Sequence, residues 1–427
     1  MPKFIFDTGF NNFSMDKDLQ NFILEHSDED PARLILSAGK YPGIDVRCAA
    51  ECISGRNAIR KKLPSWYANP AILYPKSISL EQCSSELTAS YKRRFCPDGE
   101  RVADITGGFG IDSFYLSKTA SELIYIERNS ELCEVAKENF ATLGAVNIKT
   151  FCEEVSPDNI RKIFDGRFGL VYADPARRDK AGDKIISINK SEPDITLLKD
   201  ILFEYTDRIL VKLSPMVDIR ATLSLISEIS EVHILSVKNE CKEMLVLITR
   251  GFDGEPSITI SLSDGVETPH PVIKFSLSSE KNARIVLASP DDLRITSGRE
   301  LYLYEPDAAL LKAGCFKLIC EKFNIKKIAP ETHIYLSETL VRDFPGRIER
   351  IIDIVPFSKK NVISVAATVP GCSVIARNFP MKSEELRKML STAENESYRL
   401  IATRNCLCEK IIILTCLIPE SSGDKPE

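Results

Sequence analysis

The ten residues ADITGGFGID, 103–112, constrain the fold of this chain more than any other stretch. A hydrophobic lead-in ends in Asp104, glycines follow as Gly107, Gly108 and Gly110, and an apolar helical pattern comes next. This order predicts a strand, a tight loop and a helix. Glycine lacks a Cβ, so the loop can adopt positive φ and let a ligand lie against its backbone. The stretch therefore predicts a nucleotide-binding turn, with a glycine-rich turn that binds nothing as the alternative.

Strand and helix patterns alternate regularly from this loop to Arg250. Seven strand patterns occur within about 150 residues, and the last two, EVHILSVK and EMLVLITR, are joined by a short polar turn. Parallel βα units closed by a hairpin form a doubly wound sheet with an antiparallel strand near one edge. The pattern predicts an α/β fold with a seven-stranded, Rossmann-like sheet.

Acidic residues follow the second and third predicted strands. Glu127 stands 17 residues after Gly110, about where a doubly wound fold places the carboxylate that binds two ribose hydroxyls. Glu153 or Glu154 could accept a hydrogen bond from an adenine amino group, and an acidic loop facing solvent is the alternative. A nicotinamide dehydrogenase is disfavoured, because Ser113 replaces the third glycine of its motif and the sheet ends in a hairpin. The loop also lacks the lysine of a P-loop.

The fourth predicted strand ends in ADPARRD, 173–179, at the same edge of the sheet. Asp174 and Pro175 predict a rigid turn that faces whatever lies against the cofactor, with a purely structural turn as the alternative. Arg177 and Arg178 could bind a substrate phosphate, or they could form ion pairs with nearby aspartates.

Composition excludes only a few classes of protein. A chain of 427 residues allows two to four domains, and its net charge of -5 excludes a globally basic nucleic-acid coat. The 13 cysteines contain no CxxC pair and the four histidines stand far apart, which argues against a zinc site or a disulfide framework and for reduced thiols. No basic leader and no apolar stretch of roughly 20 residues is present, so a cytoplasmic protein without membrane or metal is expected.

The regions outside the sheet are predicted to be smaller. Residues 1–76 have a helical pattern interrupted by proline, and the sheet domain covers 77–252, beginning with a helix capped at Ser79. Two small α+β units follow at 253–338 and 339–420. Their predicted elements include strands at ARIVLA (283–288) and NVISVAATV (361–369), and one helix from about Asp307 to Phe323.

Asp104, the three glycines, Glu127 and the Asp174–Pro175 pair together resemble the class I S-adenosylmethionine-dependent methyltransferases. The segments EQCSSELTASYK, ADITGGFGID, ADPARR and NECKEML, with the two-part C-terminal region, more closely resemble a bacterial methyltransferase family with a ferredoxin-like segment and a THUMP-like domain. This resemblance implies that 253–338 is the ferredoxin-like segment and 339–420 the THUMP-like domain. Because THUMP domains bind RNA in tRNA-modifying enzymes, it also implies RNA as a partner.

The resemblance assigns roles to the acidic residues at the sheet edge. The glycine loop, from Asp104 to Asp112, would hold the methionine part of S-adenosylmethionine, and Glu127 would bind the ribose. The adenine would lie against Glu153 and Glu154, whereas Asp174 would begin the motif that faces the methyl acceptor.

The chain departs from the motif of amino methyltransferases that act on bases, Asp/Asn-Pro-Pro-aromatic. Ala176 and Arg177 occupy its last two places, so a stacking ring is missing unless Tyr172 or another aromatic supplies it. Methylation at pyrimidine C5 would instead need a cysteine nucleophile, for which Cys241 is the candidate and inert packing the alternative.

These observations predict a methyltransferase that acts on a base of structured RNA, tRNA or rRNA. Between Arg342 and Lys410 there are 12 Lys or Arg against 8 Asp or Glu, a mild surplus that permits an RNA-binding face or a scaffold. A non-catalytic RNA-binding protein with the same fold, or a methyltransferase for a small molecule or protein, are the alternatives.

Overall fold

The computed structural model describes residues 17–74, 80, 83–177, 188–390 and 393–418. Its residues fall into two compact units. The first comprises the chain up to 232 with 243–254 and 265–269, and the second comprises 233–242, 255–264 and the chain from 270 onward. Within these described ranges, no helix is both long and apolar enough to cross a bilayer.

The first unit begins with four helices, as the proline-interrupted pattern predicts. Aspartates begin two of them: Asp30 accepts a hydrogen bond from the backbone N–H of Ala32, and Asp45 accepts from those of Arg47 and Cys48. The helices pack around a small core that includes Phe22, Leu34 and Ile53. Their bounds are α1 Lys17–Glu25, α2 Pro31–Leu36, α3 Val46–Ile59 and α4 Pro64–Ala68.

The main sheet has nine strands, seven of which lie in the order β8-β9-β7-β4-β1-β2-β3. Strand β1 pairs in parallel with β2 and β4, β2 with β3, and β4 with β7, whereas β9 runs antiparallel to β7. The predicted doubly wound α/β sheet with a terminal hairpin is confirmed. The strands, with the short pair β5 and β6, are β1 Arg101–Asp104, β2 Glu122–Ile126, β3 Ile148–Phe151, β4 Leu170–Ala173, β5 Ala176–Arg177, β6 Ser191–Glu192, β7 Arg208–Leu213, β8 Ile229–Val237 and β9 Glu240–Thr249.

Six helices accompany this sheet, and several are capped by residues that follow a strand. Asn129 caps the helix after β2, accepting from Leu132 N–H, and Asp218 caps the helix after β7, accepting from Ala221 N–H. Ser85 caps the helix before β1; the cap predicted at Ser79 lies outside the described residues. The bounds are α5 Glu86–Lys92, α6 Ile111–Ser117, α7 Ser130–Thr142, α8 Ile160–Ile163, α9 Ile195–Leu202 and α10 Ile219–Leu225.

One disulfide connects a helix to a loop at the carboxyl edge of this sheet. Cys133, in the first turn of α7, is bonded to Cys152, the residue after β3. The expectation that all thiols are reduced is therefore wrong for this pair, whereas the other eleven cysteines form no disulfide. The two cysteines are 19 residues apart in the chain, and this spacing has no disulfide signature. They meet because α7, which contains Cys133, packs beside β3, which Cys152 follows.

The second unit contains a seven-stranded sheet in the order β13-β14-β12-β15-β18-β17-β16 and an antiparallel pair, β10 and β11. Its strands are β10 Ser257–Ser263, β11 His270–Phe275, β12 Tyr302–Pro306, β13 Lys326–Ala329, β14 Thr332–Ser337, β15 Gly346–Pro356, β16 Ser373–Ala376, β17 Tyr398–Arg404 and β18 Lys410–Leu417. Its helices are α11 Leu277–Asn282, α12 Ala308–Ala313, α13 Leu318–Phe323, α14 Lys359–Ala366 and α15 Ser383–Arg387.

Three predicted elements of this unit are wrong. ARIVLA forms only an isolated bridge at Leu287, and the helix predicted from Asp307 to Phe323 is broken at Gly314, whose φ is +71°. NVISVAATV is not a strand but lies largely in α14, which Ser358 caps. Its β-branched residues mimic a strand, but the buried Val362, Val365 and Ala366 recur at helical spacing and pack on the sheet.

A buried ion-pair network holds the centre of the second sheet. The guanidinium of Arg399 on β17 donates to Glu349 on β15 at 3.0 Å and to Glu305 on β12 at 2.7 Å. Glu349, almost fully buried, also accepts from Arg347 and from the hydroxyl of Thr415. The network joins four strands, and without its central cation the two carboxylates would be compensated only by the more exposed Arg347 and Arg377.

We expect Arg399→Met to lower the free energy of unfolding by about 3 kcal/mol, because the buried Glu349 then keeps only the guanidinium of Arg347 as a cationic partner. Arg350→Met, at an exposed position of the same sheet, should change it by less than about 0.5 kcal/mol. Urea denaturation of the full chain measures both, and equal effects would contradict the role assigned to Arg399.

Candidate active site

The glycine loop follows β1 and has the geometry that its composition predicts. Gly107 donates its N–H to Ile126 O at 2.8 Å, and a Cβ at Gly107 would lie 2.1 Å from the ring of Tyr125. Gly110 has a φ of +86°, and its Cβ would lie 2.6 Å from Phe140. Only glycine fits either position without moving an aromatic ring.

Gly108 has a different environment. Its φ is +56°, and the nearest atom to a Cβ there would be Thr106 O at 3.7 Å, so the space beside it is open. Its carbonyl accepts a hydrogen bond from Tyr125 OH at 2.6 Å. The loop is thus packed against β2 at Gly107 and open at Gly108, as a backbone cradle for a ligand requires.

Glu127 follows β2 and is oriented by the same loop. One carboxylate oxygen accepts from Gly108 N–H at 2.9 Å and the other accepts from Asn129 N–H at 2.8 Å. Each oxygen keeps a lone pair for a further donor. The half-buried carboxylate is therefore held in one orientation and can still accept from two hydroxyls.

Asp104 ends β1 and is almost fully buried. Its carboxylate accepts from Ser113 Oγ at 2.6 Å and from Thr106 N–H at 3.0 Å. Burial raises the pKa of Asp104 to about 7, and the nearby carboxylates of Asp112 and Asp174 act in the same direction. Among the described residues no Lys or Arg forms an ion pair with it.

Asp112 lies in the first turn of α6 and belongs to a buried cluster. Its carboxylate accepts from Ser84 Oγ at 2.8 Å, from Tyr172 OH at 2.7 Å and from Lys92 Nζ at 2.9 Å. Burial alone would raise the pKa of Asp112, but the ammonium groups of Lys92 and Lys212 outweigh burial and hold it below the ordinary value.

Lys92, the last residue of α5, is fully buried and is the cation of this cluster. Besides Asp112, it donates to Ser84 Oγ at 2.9 Å and lies 2.9 Å from Glu243 Oε1 on β9. Burial keeps the pKa of Glu243 above its ordinary value. Sequence reasoning assigned no role to Lys92 or Glu243, although both lie in segments, EQCSSELTASYK and NECKEML, that carry the family resemblance.

Asp174 follows β4 and pairs with a lysine from the neighbouring strand. Lys212 Nζ on β7 donates to Asp174 Oδ2 at 2.5 Å, and Asp174 N–H donates to Thr106 Oγ1 at 2.6 Å. Burial opposes the charge of Lys212, but the carboxylates of Asp174, Asp112 and Glu243 outweigh burial and raise its pKa above the ordinary value. The pair brings the ends of β4 and β7 together with the glycine loop.

The remaining predicted site residues lie around this edge. Pro175 is half-buried, and Arg177 belongs to β5, where it pairs with Ser191 of β6. Arg178 lies outside the described residues. Glu153 and Glu154 are both exposed after β3, and Glu154 lies 3.7 Å from Arg128.

Tyr172, the ring considered as a substitute for the missing aromatic, cannot stack on a substrate. It is 1% exposed, its hydroxyl donates to Asp112, and burial raises its pKa well above the ordinary value. Alternation along β4 directs it into the protein. The edge therefore contains the carboxylates of Asp104, Asp112, Glu127, Asp174 and Glu243 and two lysines, but no exposed ring from Tyr172.

The arrangement fits a ligand that carries positive charge next to Asp104. If all six groups were ionised, the carboxylates of Asp104, Asp112, Asp174 and Glu243 would exceed the ammonium groups of Lys92 and Lys212 by two negative charges, and Glu127 lies beside them. No three or more His, Cys, Asp or Glu side chains are grouped to hold a metal ion within the described part of the chain.

Comparison with known proteins identifies the family. A crystal structure of a protein from Porphyromonas gingivalis W83, assigned as a methyltransferase, matches 95% of this chain and 100% of its own at 30% identity, with a TM-score of 0.80. The chain belongs to the same methyltransferase family. Family models of a ferredoxin-like domain and of a THUMP domain-like region match residues 302–345 and 346–416.

Curated relatives match only a segment of this family member. The 23S rRNA (uracil(1939)-C(5))-methyltransferase RlmD of Shewanella amazonensis is 34% identical over 79 residues, and that of Shewanella sediminis is 35% identical over 78 residues. In each case the match spans 18% of this chain and 18% of the relative.

The raised pKa of Asp104 predicts a pH-dependent stability. Between about pH 4 and 7 the folded state keeps a proton that the unfolded chain has lost, so the free energy of unfolding should fall as pH rises through this window. In Asp104→Asn this contribution is absent. The free energy of unfolding of the variant should therefore rise relative to that of the wild type by up to about 4 kcal/mol between pH 4 and 8. Urea denaturation at a series of pH values tests this, and parallel curves for both proteins would rule it out.

Proposed function

We propose that this protein transfers a methyl group from S-adenosylmethionine to a base of structured RNA, tRNA or rRNA. The observation that carries the proposal is the convergence of Asp104, the open glycine loop, Glu127 and Asp174 at one sheet edge. These groups fit the cofactor, which when bound supplies an electrophilic methyl group on a positively charged sulfur.

The chain's own residues divide the binding of this cofactor. Asp104, buried and without a cationic partner in the described part of the chain, offers its charge to the positively charged methionine part, together with the backbone from Gly107 to Gly110. Asp112 stabilises this part of the site, because its carboxylate accepts hydrogen bonds from Lys92 and Tyr172. Glu127 accepts from the ribose hydroxyls, and Glu153 or Glu154 from the adenine.

Asp174 and Pro175 face the methyl acceptor in this proposal. Lys212 occupies Oδ2 of Asp174, and no described residue donates to Oδ1, which can accept a proton of an acceptor amine and orient its lone pair toward the methyl group. The ammonium group of Lys212 stays paired with Asp174 while it does so. Arg177 and Arg178 are proposed to contact the RNA phosphates.

The THUMP domain-like match and the rRNA methyltransferase named among the relatives support RNA as the substrate. An RNA face could be built from Lys359, Lys360, Arg377, Arg387 and Lys388. Arg377 is paired with Glu305 at 2.7 Å and Arg387 donates to Cys372 O at 3.0 Å, whereas the three lysines are exposed and could contact phosphates. The domain boundaries at 76, 252 and 338 and a cytoplasmic location stay predictions.

Cofactor binding should depend on the ionisation of Asp104. If only the ionised form binds, a pKa of about 7 makes the wild-type affinity for S-adenosylmethionine rise about tenfold from pH 6 to pH 8. Asp104→Asn should bind weakly at both values, and Glu127→Ala should bind weakly with the wild-type pH dependence. Isothermal titration calorimetry measures these affinities, and no binding to the wild type would refute the cofactor.

The substrate is tested by nucleoside mass spectrometry. RNA from cells lacking the protein should lose one methylated nucleoside, and complementation with wild type, but not with Asp174→Ala, should restore it. The mass and fragmentation of that nucleoside identify the methylated atom. Restoration by Cys241→Ser would exclude a cysteine nucleophile at this position, and an unchanged profile would remove RNA as the substrate.

The buried Tyr172 favours one second candidate, an RNA-binding protein that keeps the fold without the chemistry. It predicts RNA binding that survives Asp174→Ala and no methyl incorporation into any RNA. Turnover of a small molecule or protein in the absence of RNA would instead support a third function, methyl transfer to that substrate.

A further inference from the structure

The proposed acceptor site has hydrogen-bonding groups but lacks a surface for the face of a base. Asp174 can orient an acceptor amine, whereas Arg177 replaces the aromatic residue of related motifs and Tyr172 is fully engaged inside the protein. A base removed from its stack needs aromatic or apolar contact on its face, because otherwise the stacking energy is lost without replacement. Another side chain at this edge must supply that contact.

Met216 has the position and exposure for this role. Strand β7 ends at Leu213, one residue after Lys212, and a turn closed by a hydrogen bond from Val217 N–H to Ser214 O at 3.0 Å follows. Met216 is the third residue of this turn and is 70% exposed. Since Lys212 contacts Asp174, the turn lies at the edge where the acceptor is expected.

Leu197, 71% exposed, lies in the first turn of α9 and not in the turn after β7, and two further exposed apolar side chains lie at the other edge of the sheet. Val146, 95% exposed, precedes β3 and therefore lies at the opposite, amino edge of the sheet. Leu225 ends α10, which runs back to that same edge before β8. Single exposed apolar residues are common, so exposure alone means little, but Met216 is three residues past the end of the strand that carries Lys212.

We propose that Met216 forms the platform on which an unstacked nucleobase lies while Asp174 orients its acceptor atom. The thioether is polarisable and flexible, so it can cover the face of a base where a rigid ring is absent. Pro175, half-buried beside Asp174, offers a second apolar surface. The assignment rests on the proposed RNA substrate and adds a binding surface that the family motifs do not contain.

Steady-state kinetics test the platform. With total RNA from cells lacking the protein, Met216→Ala should lower kcat/KM for RNA about tenfold, as loss of one stacking contact predicts, while the dissociation constant for S-adenosylmethionine stays within twofold. Met216→Leu, which keeps an apolar side chain of similar size, should recover most of the activity. The matched control Val146→Ala should behave as the wild type. Wild-type kcat/KM in Met216→Ala would overturn the proposal.

A fluorescence experiment tests base contact without requiring turnover. The chain has one tryptophan, Trp66, which is fully buried, so a tryptophan introduced at the surface is a clean reporter. Emission of Met216→Trp should be quenched at least twofold by the same RNA and become protected from acrylamide, whereas Val146→Trp should show neither effect. Absent quenching, or equal quenching at both positions, would overturn the platform.

The two readouts separate this inference from the proposed function. Quenching of Met216→Trp with no methyl incorporation by the wild type would support the platform and refute methyl transfer to RNA. Methylation that is unaffected by Met216→Ala, with no quenching in Met216→Trp, would support RNA methylation and refute the platform.

Discussion

The active edge of this protein depends on one buried ammonium group, Nζ of Lys92. It ties the helix before the sheet to α6 through Asp112 and to β9 through Glu243, with no water-exposed surface of its own. Two carboxylates removed from water cost several kcal/mol each unless a cation accompanies them. Because Asp112 also accepts from Tyr172, the same ammonium group determines how β4 ends and where Asp174 lies.

The electrostatics of this edge divide into a compensated and an uncompensated part. Lys92 and Lys212 hold the pKa of Asp112 below its ordinary value, and Lys212 forms an ion pair with Asp174. No described Lys or Arg forms an ion pair with Asp104, and burial raises its pKa to about 7. At neutral pH the ionised form of such a buried acid lowers the stability of the folded protein. A positively charged ligand bound next to it would stabilise this ionised form. The uncompensated negative charge of Asp104 thus lies next to the open side of the glycine loop, where the proposed cofactor would bring positive charge.

Much of the fold was predictable because strands and helices differ in period and because the carboxyl ends of parallel strands share one edge. Asp104, Glu127 and Asp174 each follow a strand, so their common location followed from order alone, and the structure places them there. The errors arose where local composition conflicts with packing. NVISVAATV is rich in β-branched residues but packs as a helix, and Gly314 divides a helix that otherwise has an unbroken apolar pattern.

The sequence by itself determined the sheet, the glycine loop and the acids that end its strands, since these depend on local periodicity and on the conformational freedom of glycine. Only the tertiary structure decided which charges meet. Lys92 and Glu243 are 151 residues apart in the chain, and no local sequence pattern indicates that they form an ion pair in the low-dielectric interior. The direction of Tyr172 was likewise decided by its bond to Asp112, which removes it from the substrate side and leaves that surface to the turn after β7.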